Sequence, residues 1–174
     1  MRQFLKWGII SIIALGIISS LDSKEVSTIQ TANTDTQKEE ATNAYKIGDE
    51  IQIGKLTYKV EGKEVKDTVG DKYINKKARG KYLILKVNVT NNDKKSRIVD
   101  SSLFQLIDED GIIYEPDSKA DEYINNKDMF FFDEINPNIT KTGYIAFDLV
   151  NPNIEYDLRI TDGMLSSDEA IINL

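Results

Sequence analysis

Alternation of apolar and polar residues from Tyr45 onward predicts a chain built from β-strands. The clearest run is KYLILKVNVTN, in which every second side chain is apolar: Leu83, Leu85, Val87 and Val89. Strict alternation of this kind is typical of a strand with one buried face. Similar short runs, bounded by turn-forming residues, precede and follow it, and together they predict about eight or nine strands.

The same pattern predicts how these strands pack. No run in residues 45–174 has the length and 3.6-residue spacing of a core helix, so this body is predicted to be all-β. Strands that alternate must bury one face, and two antiparallel sheets packed face to face achieve this. We therefore predict an antiparallel β-sandwich with looser connections at 61–80 and 115–128.

The first 22 residues have the layout of a secretion signal. Arg2 and Lys6 precede an unbroken core of apolar or small residues, Trp7–Ile18, and Ser19, Ser20 and Asp22 return the chain to polar sequence. The cleavage site is poor, so a signal peptide and an uncleaved membrane anchor both stay open for residues 1–22. Either way the rest of the chain is predicted to be extracytoplasmic, secreted or anchored to the outer face of the cytoplasmic membrane.

Residues 23–44 are predicted to be a flexible polar linker. They are rich in Thr, Ser, Asn, Lys and Glu and contain almost no large apolar side chains. Such a segment buries too little apolar surface to offset the entropy of ordering it.

Composition excludes several classes of chemistry. The chain has no cysteine and no histidine, which excludes disulfides, thiol nucleophiles and histidine-based catalytic or zinc sites. Its formal net charge is -7. An acidic body repels phosphate groups, so we predict no nucleic-acid partner and membrane contact only through residues 1–22. No cofactor is predicted.

The acidic stretch LFQLIDEDGIIYEPD has two interpretations. An EF-type calcium loop fails in register, because counting from Asp108 the glycine arrives at the fourth position and an isoleucine takes the fifth. A hairpin turn fits better, since Asp108 can bond its own backbone and Gly111 can adopt the positive φ that closes the loop. A calcium-dependent module that uses Asp108, Asp110 and Asp117 is kept as the alternative.

Adjacent carboxyl groups at Asp133 and Glu134 raise the possibility of a hydrolase. Glycoside hydrolysis needs two separated carboxyl groups that converge in a cleft. Neighbouring residues on a strand point to opposite faces, so these two cannot act as such a pair. We predict no catalytic residue and no enzymatic activity, with a carboxylate-based hydrolase as a remote alternative.

The apolar run DMFFF predicts either a strand buried on both sides or an exposed adhesive surface. Burial is favoured, because soluble proteins rarely expose a patch of this size. If the run is exposed, it forms the candidate partner-binding patch: Tyr123, Met129, Phe130, Phe131 and Phe132.

Residues 46–174 resemble a known bacterial family. The resemblance is carried by the blocks YKIGDEIQIGKLTYKV, KARGKYLILKVNVTNNDKKSRIVDSSLFQLIDEDGIIYEPD and DEINPNITKTGYIAFDLV. The chain is similar to the bacterial extracytoplasmic immunoglobulin-like domain of unknown function, which is grouped with secreted immunoprotective antigens. Many relatives carry a lipid-modified cysteine after the signal, whereas Ser19 and Ser20 occupy that region here.

The resemblance implies an immunoglobulin-like β-sandwich outside the cell, without established catalysis and without agreed ligand residues. Together with the export signal, it predicts a non-enzymatic binding or interaction module. Its expected partner is an extracellular protein or a component of the cell envelope.

Overall fold

A computed structural model describes residues 44–126, 128–163 and 168–174. The predicted signal or anchor, and the predicted linker except for its last residue, lie outside these ranges. Within these ranges, no helix has the length and the apolar character needed to cross a membrane.

Strands account for most of the described residues. They are β1 (Tyr45–Lys46), β2 (Glu50–Ile53), β3 (Leu56–Gly70), β4 (Asn75–Asn91), β5 (Arg97–Ile98), β6 (Phe104–Asp108), β7 (Ile113–Tyr114), β8 (Glu134–Ile135), β9 (Thr140–Leu149), β10 (Tyr156–Thr161) and β11 (Glu169–Asn173). Two 3₁₀ helices, Ser101–Leu103 and Ser118–Ala120, and a one-turn helix α1, Asp121–Ile124, interrupt them.

Two main sheets build an immunoglobulin-like β-sandwich, which confirms the predicted fold class. The first sheet has the strand order β1-β11-β10-β6-β7, and the second has the order β2-β3-β4-β9. Strands β5 and β8 pair separately. Neighbouring strands are antiparallel except β1 and β11, which run parallel with Tyr45 opposite Ile172.

The main core lies between the two sheets. The alternating apolar residues of β4 are at most 2% exposed, as the sequence pattern predicts: Leu83, Leu85, Val87 and Val89. Phe104 of the facing sheet is fully buried, and its ring lies 5.8 Å from that of Tyr58 in an edge-to-face contact. Each such large apolar side chain contributes about 1.5–3 kcal/mol when it is fully buried.

A second, smaller core covers the opposite face of β4. Tyr82 and Ile84 point away from the main core, yet both are at most 1% exposed. They pack with Ala120 beside α1 and with Ala146 of β9. The 3₁₀ helix and α1 therefore lie over one end of the outer face of the second sheet.

The prediction of a loose connection at 61–80 is wrong. Strands β3 and β4 continue through this segment as a long hairpin that closes between Gly70 and Asn75. Residues 67–81, here called the basic hairpin, lie at its tip beyond a register shift between Lys66 and Thr68. Most of their side chains are exposed on both faces, so the alternating signal of a half-buried strand is missing.

The apolar run DMFFF, which was expected to be a buried strand, is not a strand, because only Glu134–Ile135 just after it is extended and paired. The carboxylate of Asp121 accepts the backbone N–H groups of both Phe130 and Phe131, at 3.1 and 3.0 Å. Two consecutive N–H groups cannot point to one acceptor in a strand, where they alternate in direction. Phe132 then adopts a φ of 63°, and its N–H donates to the carbonyl of Val99.

Candidate functional site

The fold buries two of the five residues of the predicted partner-binding patch, leaves two exposed and half-buries the fifth. Phe130 and Phe131 are 0% and 2% exposed and pack against Phe104, so these two belong to the core and the patch is corrected accordingly. Met129 and Phe132 are 43% and 56% exposed. Tyr123 is half-buried against the second core.

Tyr123 and Met129 border a shallow cleft between α1 and the basic hairpin. Its volume is about 330 Å³, and its lining residues are Lys76, Ser118, Lys119, Glu122, Tyr123 and Met129. A smaller hollow of about 180 Å³ shares Glu122 and Tyr123 and is completed by Asp71, Ile74 and Asn126. We refer to the two together as the Tyr123 cleft. Phe132 lines neither hollow.

One wall of the cleft carries a hydrogen-bonded triad. The Lys76 ammonium donates to Asp117 Oδ2 at 2.5 Å and to the Tyr82 hydroxyl oxygen at 2.9 Å. The Tyr82 hydroxyl in turn donates to Asp117 Oδ2 at 2.9 Å. Tyr82 is buried. The triad therefore ties the basic hairpin to Asp117, the residue just before the 3₁₀ helix Ser118–Ala120.

The triad sets the charge states of its members. Burial would raise the pKa of Asp117, but the hydrogen bonds from Lys76 and Tyr82 hold that pKa below its usual value. The hydrogen bonds to Asp117 and Tyr82 raise the pKa of Lys76. Lys76 is therefore a fixed cation at neutral pH, and an ammonium in this state cannot act as a nucleophile.

Backbone hydrogen bonds hold the other wall of the cleft in place along the free edge of β9. The side-chain amide of Asn125 donates to the Tyr144 carbonyl at 2.9 Å and accepts the Tyr144 N–H at 2.9 Å. The N–H of Asp117 donates to the Ala146 carbonyl at 2.8 Å. The amide of Asn125 thus occupies the position of a neighbouring strand, and Asp121 anchors the next segment as described above.

The acidic hairpin between β6 and β7 is a self-contained turn. Asp108 Oδ1 accepts the N–H groups of Asp110 and Ile112, and Oδ2 accepts the Tyr114 hydroxyl at 2.9 Å. Gly111 has the positive φ, 78°, that the turn prediction requires. Burial would raise the pKa of Asp108, but these hydrogen bonds, led by that from Ile112, keep it low.

The calcium alternative gains no support from this arrangement. The carboxylate of Asp108 is directed to its own turn, whereas that of Asp117 is directed to Lys76 and Tyr82. Within the described ranges, no group of three acidic side chains is placed to hold a metal ion.

The adjacent acids of the hydrolase alternative do not form a catalytic pair either. Asp133 and Glu134 are both exposed, and Asp133 pairs with the ammonium of Lys141, which lowers its pKa. A glycosidase acid needs a raised pKa. Among the described carboxyl groups, each pKa that is displaced is displaced downward: Glu61, Asp67, Asp93, Asp108, Asp117 and Asp133.

A further concavity of about 380 Å³ lies on the outer face of the second sheet, among polar side chains. The Thr90 and Thr140 hydroxyls bond each other at 2.7 Å, and the Asn92 amide donates to the Thr57 hydroxyl at 2.7 Å. Cross-strand pairs of this kind are the usual way in which a solvated sheet face satisfies its polar groups. The Tyr123 cleft, with its apolar floor and charged rim, is the better binding candidate.

Sequence reasoning named Tyr123 and Met129 but missed the residues that the hairpin contributes. Ile74 and Lys76 lie about 50 positions upstream, in a segment that the pattern predicts to be a loop. Only the pairing of β3 with β4 brings this segment beside α1. No pattern in the neighbouring sequence indicates this proximity.

Solved structures with low sequence identity share this fold. A secreted protein of Mycobacterium tuberculosis, MPT63, is 22% identical, with a TM-score of 0.56 over 75% of this chain and 96% of that one. An uncharacterized β-sandwich protein of Clostridium difficile 630 is 17% identical, with a TM-score of 0.53 over 79% of this chain and 98% of that one. At this level of identity the similarity concerns the fold alone.

Sequence comparison identifies closer relatives. The uncharacterized protein YxkC of Bacillus subtilis (strain 168) is 33% identical in an alignment of 121 residues that covers 64% of this chain and 66% of that protein. The chain thus spans just under two thirds of the length of this relative. Residues 45–171 match the family model described as a domain of unknown function, DUF4352. The match covers the whole β-sandwich up to β11, and the chain therefore belongs to the DUF4352 family.

Proposed function

We propose that this protein is a non-enzymatic extracytoplasmic module that binds a protein or a cell-envelope component through the Tyr123 cleft. The observation that carries the proposal is the cleft itself, where Tyr123 and a 43% exposed Met129 lie among charged side chains. Interaction surfaces commonly combine an aromatic or methionine centre with a polar rim.

Three features support an extracytoplasmic position. The first 22 residues have the layout of a signal or anchor, and the chain has no cysteine that an oxidising compartment would affect. MPT63, which shares the fold, is described as a secreted protein.

The chemistry of the cleft supports binding rather than turnover. Lys76 is held protonated by Asp117, and that carboxylate is in turn held ionised by Lys76 and Tyr82. Groups fixed in one charge state serve recognition, whereas general acid–base catalysis needs a pKa near the working pH.

The position in the cell can be tested with a single introduced cysteine, because the native chain has none. Val150 is 96% exposed, so a V150C variant offers a reactive thiol without disturbing the core. We expect a membrane-impermeant maleimide to label V150C on intact cells. As a control, V150C without residues 2–22 should be labelled only after lysis. Labelling of the full-length variant only after lysis would overturn the proposal.

Binding at the cleft can be tested by site-specific photocrosslinking in living cells. A photoreactive residue replaces Met129 in one variant and Ile139, a comparably exposed apolar residue, in a matched control. We expect a discrete crosslinked product from position 129 and none from position 139. Equal products from both positions, or none from position 129, would contradict binding at the cleft.

A further inference from the structure

We infer that the basic hairpin, residues 67–81, docks this protein onto an anionic phospholipid surface, with Tyr73 and Ile74 at the point of contact. The inference goes beyond the proposed function, because it concerns a different partner and the exposed tip of the hairpin, which shares Asp71, Ile74 and Lys76 with the lining of the Tyr123 cleft. It rests on local charge, on exposed apolar side chains and on a turn whose backbone is already hydrogen-bonded.

The hairpin is basic although the chain is acidic. Residues 67–81 contain five basic and two acidic side chains, a net charge of +3, whereas the whole chain has a net charge of -7. Subtracting the hairpin leaves -10 for the rest. Because electrostatic attraction is screened within about 8–10 Å in salt solution, an approaching surface responds to the nearest charges. The overall charge therefore does not exclude contact of this tip with anionic lipid.

Three of the five cations are available to a partner. Lys76 is paired with Asp117, and Lys81 is paired with Asp67 at 2.9 Å. In the described part of the chain, no ion pair involves the other three: Lys72, Lys77 and Arg79, all exposed. A cation close to an anionic membrane strengthens binding by about fivefold.

The turn presents apolar side chains beyond these cations. Tyr73 is 85% exposed and Ile74 is 58% exposed. The Lys72 ammonium lies 5.6 Å from the centre of the Tyr73 ring. A tyrosine with an aliphatic neighbour and flanking lysines is the combination that favours the membrane–water interface, where the ring and the lysine stems are partly desolvated.

The backbone of the turn is prepared for a less polar environment. Asp71 Oδ1 accepts the N–H groups of Tyr73 and Ile74, each at 2.7 Å. The Asp71 N–H donates to the Ile74 carbonyl at 2.9 Å, and the Asn75 amide donates to the Asp71 carbonyl at 3.1 Å. Entry into the interface therefore leaves these N–H groups satisfied, which avoids the main cost of placing irregular backbone there.

The tip is also held in a fixed direction. Asp148 of β9 accepts the N–H groups of Arg79 and Gly80, both at 2.9 Å, at the register shift where the hairpin departs from the sheet. Gly70 has a φ of 101°, and a Cβ there would lie 2.4 Å from the Ile74 carbonyl oxygen. The contact residues are thus pre-arranged, so docking orders few additional groups.

Tryptophan fluorescence on phospholipid vesicles tests the inference with the full chain. Trp7→Phe removes the single native tryptophan, after which Tyr73→Trp places a probe at the tip. Ile139→Trp is the matched control, because Ile139 is 53% exposed and lies at the other end of β4, where its carbonyl accepts the Asn91 N–H. Both proteins keep residues 1–22, so any general attachment through that segment affects them equally.

With phosphatidylcholine vesicles that contain phosphatidylglycerol, we expect a blue shift and quenching by brominated lipid for the Tyr73→Trp probe only. In the Tyr73→Trp protein, the double substitution Lys72→Gln, Lys77→Gln should raise the lipid concentration that gives half of the maximal shift by about 25-fold. Each lost cation accounts for about fivefold of this change. A Lys94→Gln, Lys95→Gln variant, which removes two cations outside the hairpin, should leave that concentration unchanged.

Several outcomes would overturn the inference. They are an unshifted Tyr73→Trp probe, equal responses of the two probes, an equal response to vesicles of phosphatidylcholine alone, and a shift with soluble polyphosphate but not with vesicles. The last result would indicate an anionic polymer as the partner. The vesicle measurement does not depend on cysteine labelling or crosslinking in cells, so its failure and the failure of the proposed function can be told apart.

Discussion

Asp121 organises the segment that follows it more than any other charged residue near the cleft. Its side chain is 2% exposed and accepts N–H groups from Phe130, Phe131 and the Asn125 amide. A buried carboxylate is costly unless it is fully hydrogen-bonded, and here three donors satisfy it. The two phenylalanine rings enter the main core because their backbone is fixed in this way.

Replacing Asp121 should therefore destabilise the fold. Asp121→Ala leaves the N–H groups of Phe130 and Phe131 buried without an acceptor, and we expect the free energy of unfolding to fall by about 2–4 kcal/mol. Chemical denaturation measures the change. Asp128→Ala removes the same charge from an exposed position and should change stability by less than about 0.5 kcal/mol. Similar losses for the two variants would contradict the role assigned to Asp121.

Gly143 is needed for a steric reason. A Cβ at this position would lie 2.2 Å from Phe130 Cδ2 and 2.9 Å from Phe130 Cβ, so rotation of the ring cannot relieve the overlap. We expect Gly143→Ala to lower the free energy of unfolding by about 1–3 kcal/mol through overpacking. Gly62→Ala, with no atom within 4 Å of the added Cβ, is the control for thermal unfolding. A stability of Gly143→Ala equal to that of the control would show that Phe130 is not fixed.

Neither of these residue roles can be read from the sequence. Asp121 lies in a polar stretch that resembles a loop, and the backbone N–H groups that its carboxylate binds are nine and ten positions away. By contrast, Asp108 acts on residues within six positions of itself, and its turn was predicted correctly from DEDG. Local chemistry is visible in a sequence, whereas a buried carboxylate that captures a distant backbone is not.

At the scale of elements, the free edge of β9 is covered without a further strand. Asn125 satisfies both backbone groups of Tyr144, and the Asp117 N–H satisfies the carbonyl of Ala146. Uncovered strand edges are sites of association between chains. The segment that forms one wall of the cleft therefore also shields this edge.

Removal of the Asn125 amide should uncover the edge. We expect Asn125→Ala to lower the free energy of unfolding by about 1–3 kcal/mol, because two hydrogen bonds to Tyr144 and one to Asp121 are lost. It should also promote concentration-dependent association, measured by size-exclusion chromatography. Glu122→Ala, an exposed change on the adjoining helix α1, should remain monomeric if the wild type is monomeric. Identical elution of Asn125→Ala and Glu122→Ala at all concentrations would argue against the shielding role.

In strand β4, the alternation of apolar and polar residues predicts one buried face correctly but does not predict the second one. From Leu83 to Val89 the alternation predicted the buried face correctly, because one side of the strand faces the sandwich core. Tyr82 and Ile84 were not expected to be buried, because the second core is built by residues 118–124, which are distant in sequence. The hairpin beyond them was missed, because only Val69 and Ala78 of its described side chains are buried, which is too few to produce an alternating pattern.

At the scale of the whole molecule, stability should be nearly constant across neutral pH. The chain has no histidine, so no side chain with an ordinary pKa titrates between about pH 6 and 9. The pKa of Asp117 is lowered in the fold, so its contribution is present above about pH 4 and is lost as the pH falls through the folded value. The pKa of Lys76 is raised, so its contribution is present below about pH 10 and is lost at higher pH.

Urea unfolding midpoints measured from acid to alkaline pH test this profile. We expect a plateau between about pH 6 and 9, a decline below about pH 4, and a shallower acid decline in Asp117→Asn, since that variant lacks the titrating group. A steep change near neutrality in the wild type would contradict the profile.

At this scale the net charge describes only an average over the surface. The total of -7 describes the average surface correctly, and it led to the prediction that anionic lipid is excluded. Folding gathers Lys72, Lys77 and Arg79 at one tip, and this local excess opposes the average. The all-β class was predictable because it depends on periodicity, whereas the charge distribution depends on the topology.

The parallel pairing of β1 with β11 has a consequence for biosynthesis. Tyr45 and Ile172 lie opposite each other, so the first described strand gains its partner only after the last one has been made. Contacts between such distant positions form late and slow the completion of folding. Under the proposed export, a chain that crosses the membrane amino end first would leave this sheet unclosed until β11 had emerged.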